Sequence, residues 1–359
     1  VWAAEVEIEM EERNGVVVVG EILRPGSVSA AQPSEAGPSK IYVEPTSRCN
    51  LSCRFCFRQT WNEPLRDMEE ETFAAILEGV RELRPCPTVF FGGIGEPLAH
   101  PRLPTMVAEA KEAGARVELV TNGTLLDEEV GHELIAAGLD LLWVSLDGAT
   151  PQRYGDLRLG AALPDVLENV RRFRSACSTG HHTSEVGIAF VAMRRNVADL
   201  PALLDLAGRL RATRFHVSHL LAHTAAMLEE TLYPQVPFSN PPQLLGSCPF
   251  VAAGAIAIGW DGSLSPCLPL LHRSVSFLHG AERVAQRFAV GKVGESRLAE
   301  LWEDPLLQAF RRRVKDFRFA PCASCGSCSW AYSNEQDCMG SPFPTCGGCL
   351  WAYGLLSCP

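Results

Sequence analysis

From Lys40 onward the chain repeats one unit: a short apolar or β-branched run, a loop, then an amphipathic stretch. The strand-like runs fall at residues 41–43, 88–91, 117–120, 141–146, 186–193 and 214–218. The amphipathic stretches, with helical spacing, fall at 70–83, 103–113, 127–137, 162–175 and 197–210. Six strands separated by helices cannot be joined as hairpins, so the pattern predicts an α/β fold with a parallel sheet covered by helices. In such folds the reactive groups collect where strands end at their carboxyl side, so the loops after the strands are where chemistry is expected.

At 359 residues the chain exceeds one ordinary core. Residues 1–38 read as a small β element followed by a Pro- and Gly-containing linker, 39–233 as the repeating α/β domain, and 234–359 as a Cys-, Gly- and Pro-rich domain. In that last region only 298–317 has a convincing helical pattern, so metal is expected to help it fold. Hydrophobic residues at 47% against 21% charged suit a globular protein, and no run reaches the roughly 18 apolar residues of a membrane span. The first 15 residues hold five Glu and no apolar leader, so the cytoplasm is the expected location. A net charge of −10 disfavours nucleic acid as a partner and favours small molecules or peptides. Nine of the 14 cysteines lie from Cys248 onward, which points to metal binding in a reducing compartment rather than disulfides.

The first strand leads into Cys49, Cys53 and Cys56 on one short loop. A structural zinc site closes with four ligands, and zinc motifs bring thiols in pairs. Three thiols at this spacing instead suit a cubane iron–sulfur cluster with one iron left open. A zinc knuckle with a remote fourth ligand is the bland alternative. The second strand leads into Phe90-Phe-Gly-Gly-Ile-Gly-Glu-Pro-Leu98, where glycines allow close approach of backbone to a ligand and Glu96 is followed by a rigid Pro97. The third ends in Thr121-Asn-Gly123 and the fourth in Val144-Ser-Leu-Asp-Gly148.

These segments together resemble the radical S-adenosylmethionine (SAM) superfamily. The resemblance implies a partial (β/α)6 barrel of the TIM type, with Cys49, Cys53 and Cys56 holding a [4Fe-4S] cluster whose open iron takes SAM. It implies reductive cleavage of SAM to a 5′-deoxyadenosyl radical that abstracts hydrogen from a substrate. Gly93, Gly95 and Glu96 correspond to the segment that binds the methionine amino group, and Ser145 to a ribose or carboxylate contact. Phe55 corresponds to the aromatic that shields the cluster, and Arg158 to a partner of the methionine carboxylate; ordinary packing and ordinary solvent exposure are the respective alternatives. Asn196 is a weaker candidate. His216, His219 and His223 face the substrate or are plain loop histidines; His181 and His182 sit in a polar turn, and Cys86 and Cys177 stand alone.

The second thiol region starts with Cys248, then a strand–turn–strand segment closing at Asp261-Gly262 before Cys267, and continues with Cys322, Cys325, Cys328, Cys338, Cys346, Cys349 and Cys358. The opening resembles the SPASM extension, which implies auxiliary [4Fe-4S] clusters; the closing half departs from that pattern. Nine thiols suffice for two cubanes with one to spare, or for one cluster and a zinc. The tail motifs, with Cys56-Phe-Arg58, Trp61 and Cys267-Leu-Pro-Leu-Leu-His272, resemble the radical enzymes that serve tungsten-containing aldehyde oxidoreductases as maturases. This implies action on a protein, peptide or pterin cofactor, with a ferredoxin or flavodoxin as electron donor. Thioether or carbon–carbon bond formation on a small peptide is the rival reaction. A non-catalytic iron–sulfur or zinc scaffold is the rival of another class.

Overall fold

Six successive parallel strands carry the repeat that the sequence predicts. The computed structural model describes residues 17–19, 37–179, 183–233, 248–326 and 328–359. Most of the amino-terminal extension, His181 and His182, and residues 234–247 at the start of the Cys-rich region lie outside the described residues. Strand β1 (Val17–Val19) is followed by the repeat strands β2 (Lys40–Val43), β3 (Thr88–Phe91), β4 (Val117–Thr121), β5 (Leu141–Ser145), β6 (Glu185–Ala192) and β7 (Arg214–His219). Each of the strands β2 to β7 pairs in parallel with the next, and β1 pairs in parallel with β7 at the far edge. The helices between them are α1 (Glu70–Glu82), α2 (Leu103–Glu112), α3 (Glu128–Ala136), α4 (Pro151–Leu157), α5 (Leu163–Thr179) and α6 (Leu200–Arg209). Helix α4 escapes the periodicity because it is only two turns long. Its start is nevertheless written in the chain: the Thr150 side chain accepts the Arg153 N–H as a cap, and Pro151 takes the first turn.

Side chains alternate across each strand, and the two faces have different partners. Ile41, Val43, Phe91, Leu142 and Val144 face the helices and join Phe73, Ile76, Val107 and Val166 in the larger core. Tyr42, Phe90, Leu141 and Trp143 face the inside of the curved sheet and join Phe250, Val251 and Ala257 of the Cys-rich region. Each such fully buried large apolar side chain stabilises by about 1.5–3 kcal/mol. The inner face of the barrel is thus packed by the carboxy-terminal domain, with Tyr42 and Phe250 rings 5.0 Å apart.

The Cys-rich domain begins with the short helix α7 (Pro249–Ala252) and the hairpin β8 (Ala255–Ile258) and β9 (Ser263–Ser265), turned at Asp261-Gly262 as the sequence predicts. Strand β8 also pairs in parallel with β2, Lys40 opposite Ala255 through Val43 opposite Ile258. The sheet therefore runs through both domains, ordered β1-β7-β6-β5-β4-β3-β2-β8-β9 and then β12. A second hairpin, β10 (Ser274–Leu278) and β11 (Ala281–Ala285), turns on His279 and Gly280, both with positive φ, and precedes β12 (Gly291–Lys292). The expected helix over 298–317 is two: α8 (Leu298–Glu303) and α9 (Pro305–Lys315). Asp304 caps the second through its side chain, and Pro305 cannot continue the first.

Candidate active site and auxiliary thiol groups

The loops after β2, β3, β4 and β5 interlock. The cluster loop follows β2, with the Cys56 N–H donating to the Cys53 carbonyl at 3.2 Å and Cys49 Sγ and Cys56 Sγ accepting the N–H of Leu51 and Arg58 at 3.4 Å. The glycine loop after β3 lies directly on it: the Glu96 N–H donates to the Arg48 carbonyl at 2.7 Å. A Cβ on Gly95 would lie 2.1 Å from the Thr46 carbonyl oxygen, so only glycine lets the two backbones meet.

Glu96 is almost fully buried. Its carboxylate accepts the Thr121 hydroxyl at 2.7 Å, the Asn122 N–H at 2.7 Å and the Leu98 N–H at 3.1 Å. Burial pushes its pKa up, against the pull of these hydrogen bonds. A carboxylate offers about four lone-pair positions, so one remains for a ligand donor. Asn122, a residue with no expected role, joins three parts of the site: its N–H binds Glu96, and its side-chain amide reaches Asn50 Oδ1 at 3.0 Å and Cys49 Sγ at 4.0 Å. Its signal was its position, first after β4.

Ser145 ends β5 on the same face as Leu141 and Trp143, which is the inner one. Two residues on, Asp147 is fully buried and pairs with Arg158, Nη2 to Oδ2 at 2.5 Å. The Arg158 guanidinium is buried too, and its pKa is raised: burial lowers it, but the charge of Asp147 outweighs that. Its charge is therefore already balanced within the protein. Arg158 lies 5.6 Å from the centre of the Phe55 ring, and Phe55 packs beside Leu157, Met193 and Leu220. Asn196 is fully occupied, donating to the Asp147 and Val191 carbonyls and accepting from the Met193 N–H. Two of the histidines are hydrogen-bonded, His216 Nε2 lying 3.2 Å from Ser357 Oγ and His223 Nδ1 2.8 Å from the Val275 carbonyl, whereas the His219 ring stands 6.3 Å from that of Tyr233 and its buried Nδ1 has no hydrogen bond among the described residues. Cys177 is buried in the core, and Cys86 sits at its edge with its thiol 3.9 Å from the Val80 carbonyl and 3.8 Å from the Ala113 carbonyl.

Do the thiols suit a cluster? Among the described residues no three His, Cys, Asp or Glu groups converge as for one metal ion. A cubane takes each thiolate on a different iron, so its ligands stand further apart. Burial raises the Cys53 thiol to about 11, despite the Arg158 charge, and raises Cys56 as well. Two cations, the buried Arg283 and the half-buried Arg58, point the same way. Among the described residues neither Arg58 nor Arg283 has a carboxylate partner, and each has a buried Nε without a hydrogen bond. Arg58 lies at Cys56, and Arg283 donates to the Cys322 and Cys325 carbonyls at 3.2 Å. A buried cation without a counter-charge is costly, and an anionic thiolate-ligated cluster at each place would supply it. The residues present fit the group.

The nine carboxy-terminal thiols separate into two sets. Cys267, Cys346 and Cys349 wall a cavity of about 100 Å³, and Cys248 joins them around a smaller adjoining one. Cys358 interacts electrostatically with Cys248 and with Lys40. Burial pushes Cys349 up to about 12 and Cys358 to about 11. Cys322, Cys325 and Cys328 pack together around Ala320 and Ala331, and Cys338 is close enough to bear on Cys322. Four thiols thus line one place with Cys358 bearing on them, and three pack at the other with the exposed Cys338 bearing on them.

Comparison with known proteins gives a consistent picture. The radical SAM superfamily matches residues 43–207, and the iron–sulfur cluster-binding domain SPASM matches 248–329. The chain is 30% identical over 329 residues to the tungsten-containing aldehyde ferredoxin oxidoreductase cofactor-modifying protein of Pyrococcus furiosus, covering 84% of this chain and 92% of that one. It is 32% identical over 183 residues to the PqqA peptide cyclase of Gluconobacter oxydans, about half of each chain (51% and 49%). In fold it resembles Streptococcus suis SuiB bound to its precursor peptide SuiA, with a TM-score of 0.58, 16% identity, and coverage of 81% of this chain and 70% of that one. Among the described residues no helix is long and apolar enough to cross a membrane.

Proposed function

We propose, for a chain that belongs to the radical SAM superfamily and carries its SPASM iron–sulfur extension, that it is a maturase acting on the cofactor or protein of a tungsten-containing aldehyde oxidoreductase. Iron–sulfur clusters and SAM are its cofactors. When bound, a reduced cluster with SAM supplies a 5′-deoxyadenosyl radical that takes hydrogen from a substrate carbon.

The chain's own residues prepare that event. Cys49, Cys53 and Cys56 hold the cluster as thiolates, and burial makes Cys53 and Cys56 keep their protons in the free protein. Glu96, held by Thr121 and Asn122, offers its remaining acceptor position to the methionine ammonium. Gly93 and Gly95 shape the binding loop by letting it close on Glu44 and on the cluster loop, Ser145 reaches from the inner face of β5, and Phe55 covers the cluster side. Arg158, with its charge balanced by Asp147, orients donors toward the methionine carboxylate rather than neutralising it. Packing of the inner sheet face by Phe250 and its neighbours excludes water.

Two auxiliary [4Fe-4S] clusters complete the assignment. One is held by Cys322, Cys325, Cys328 and Cys338, the other by four of Cys248, Cys267, Cys346, Cys349 and Cys358. The working domains are 39–233 and 234–359, in a cytoplasmic protein that draws electrons from a ferredoxin or flavodoxin. The observation that carries the reading is the three-thiol loop locked onto the Glu96 loop at the carboxyl ends of the strands. Maturation is favoured over peptide cyclisation because similarity to the tungsten cofactor-modifying protein extends over most of both chains, whereas that to the peptide cyclase stops at about half. Anaerobic incubation of reconstituted protein with dithionite and SAM should yield 5′-deoxyadenosine; none from a fully loaded protein would reject the enzyme. Deuterated candidate partners, with deuterium followed into 5′-deoxyadenosine, distinguish pterin cofactor, tungsten enzyme and peptide.

A further inference from the structure

A buried chain of contacts runs from the auxiliary domain into the glycine loop. His272 stands five residues after Cys267, and its Nε2 lies 2.7 Å from Glu44 Oε1. Its Nδ1 lies 3.3 Å from Glu63 Oε2, and its ring packs edge-on against Trp61 at 4.7 Å. Glu44 is the first residue after β2 and is 1% exposed, so its carboxylate has no recourse to water. The other oxygen, Glu44 Oε2, accepts the Ile94 N–H at 3.0 Å, in the middle of the glycine loop. Gly93, with φ of +150°, leaves the space that Glu44 fills: a Cβ there would lie 2.6 Å from Oε2. Glu96 follows two residues after Ile94.

We propose that His272 is a positioning residue for SAM, acting through Glu44 on the backbone of residues 93–96, so that docking of the auxiliary domain sets the affinity of the barrel for its cofactor. A histidinium donating to Glu44 fixes the carboxylate's orientation, and the carboxylate fixes the Ile94 N–H. Without His272 the carboxylate is buried with a single partner, and such a group rotates or draws in water. The loop that carries Glu96 then loses its anchor, although Glu96 keeps its own hydrogen bonds. Tethering through a hydrogen-bonded side chain is the usual way in which a supporting residue fixes a binding geometry. The proposal rests on the assignment of residues 93–96 to SAM.

The test uses the full-length reconstituted protein and two substitutions, His272→Ala and His272→Gln. Glutamine can still donate to Glu44 without the charge. Hydrogen–deuterium exchange is read on the peptide containing Ile94, and SAM binding by calorimetry, together with iron content. His272→Ala should speed exchange at residues 92–97 and weaken SAM binding about tenfold, with iron content unchanged and the turnover rate at saturating SAM nearly unchanged. His272→Gln should restore most of both. The proposal is overturned if His272→Ala keeps wild-type exchange and affinity, or if glutamine fails to rescue while iron content and circular dichroism stay native. If the unsubstituted protein does not bind SAM at all, the functional assignment itself fails, a result readily told apart from the other two. Loss of iron in both variants would also count against the proposal, because it would make His272 a residue of assembly rather than of positioning.

Discussion

Asp147 and Arg158 form a buried ion pair eleven residues apart, with Arg158 Nε 2.6 Å and Nη2 2.5 Å from the same Asp147 oxygen. The other oxygen accepts the Val191 N–H from β6 at 2.7 Å. Removal of one partner leaves an uncompensated buried charge, so Asp147→Ala should destabilise by about 3–5 kcal/mol. The double substitution Asp147→Ala, Arg158→Met should be less destabilised than Asp147→Ala alone. Denaturant unfolding of the four proteins of that cycle measures it, and additive losses would contradict the pairing.

Iron content separates the thiol sets. Replacing Cys49, Cys53 and Cys56 by Ala should remove about four irons of about twelve and abolish 5′-deoxyadenosine formation, leaving the auxiliary signals in electron paramagnetic resonance. Single alanine substitutions at Cys248, Cys267, Cys346, Cys349 and Cys358 should lower iron at four positions and spare it at the fifth. Loss at all five would show that every one of these thiols is needed for assembly.

Gly95→Ala tests the contact between the glycine loop and the cluster loop. Its Cβ would meet the Thr46 and Arg48 carbonyl oxygens, backbone atoms that cannot swing aside as a side chain does. A cost of about 1–3 kcal/mol is expected from such overpacking, together with weakened SAM binding. A wild-type melting temperature and affinity would mean that the two loops separate freely.

His272 links stability to pH. Burial lowers its pKa, but the hydrogen bonds and charges of Glu44 and Glu63 outweigh burial and raise it above the ordinary 6.5. A raised folded-state value means that the contribution is complete below 6.5 and is lost as pH rises through the folded value. Thermal midpoints taken upward from pH 6 should therefore fall more steeply for the wild type than for His272→Gln. Parallel curves would refute the charged form.

Local patterns made the barrel legible. Runs such as Leu141–Ser145 and Val117–Thr121 are short and rich in apolar and β-branched residues, and the helices between the strands are long enough to show their period. The positions of Cys49 and Glu96 after strands, and of Ser145 at the end of one, also followed from local order. Other features depend on partners far away in the chain. Nothing near Glu44 announces His272, which lies 228 residues later. Arg158 was visible as a candidate, whereas its neutralisation by Asp147 depends on the turn of α4 that brings them together. The hairpin of β10 and β11 was hidden because its turn residues are His279 and Gly280 rather than the Asn-Gly or Asp-Gly pair that marks Asp261-Gly262. The division of the carboxy-terminal thiols into five and four required the folded chain, since Cys248 and Cys349 meet from opposite ends of the domain.

The pairing of β8 with β2 has a consequence for biogenesis. Until residues 255–258 have been synthesised, the strand that leads into Cys49 is the outer border of the sheet, with its peptide groups open to any passing strand. A barrel cut off after residue 233 would carry that raw border and should associate with itself rather than remain monodisperse. The nascent chain faces the same exposure until residues 255–258 emerge to cover it.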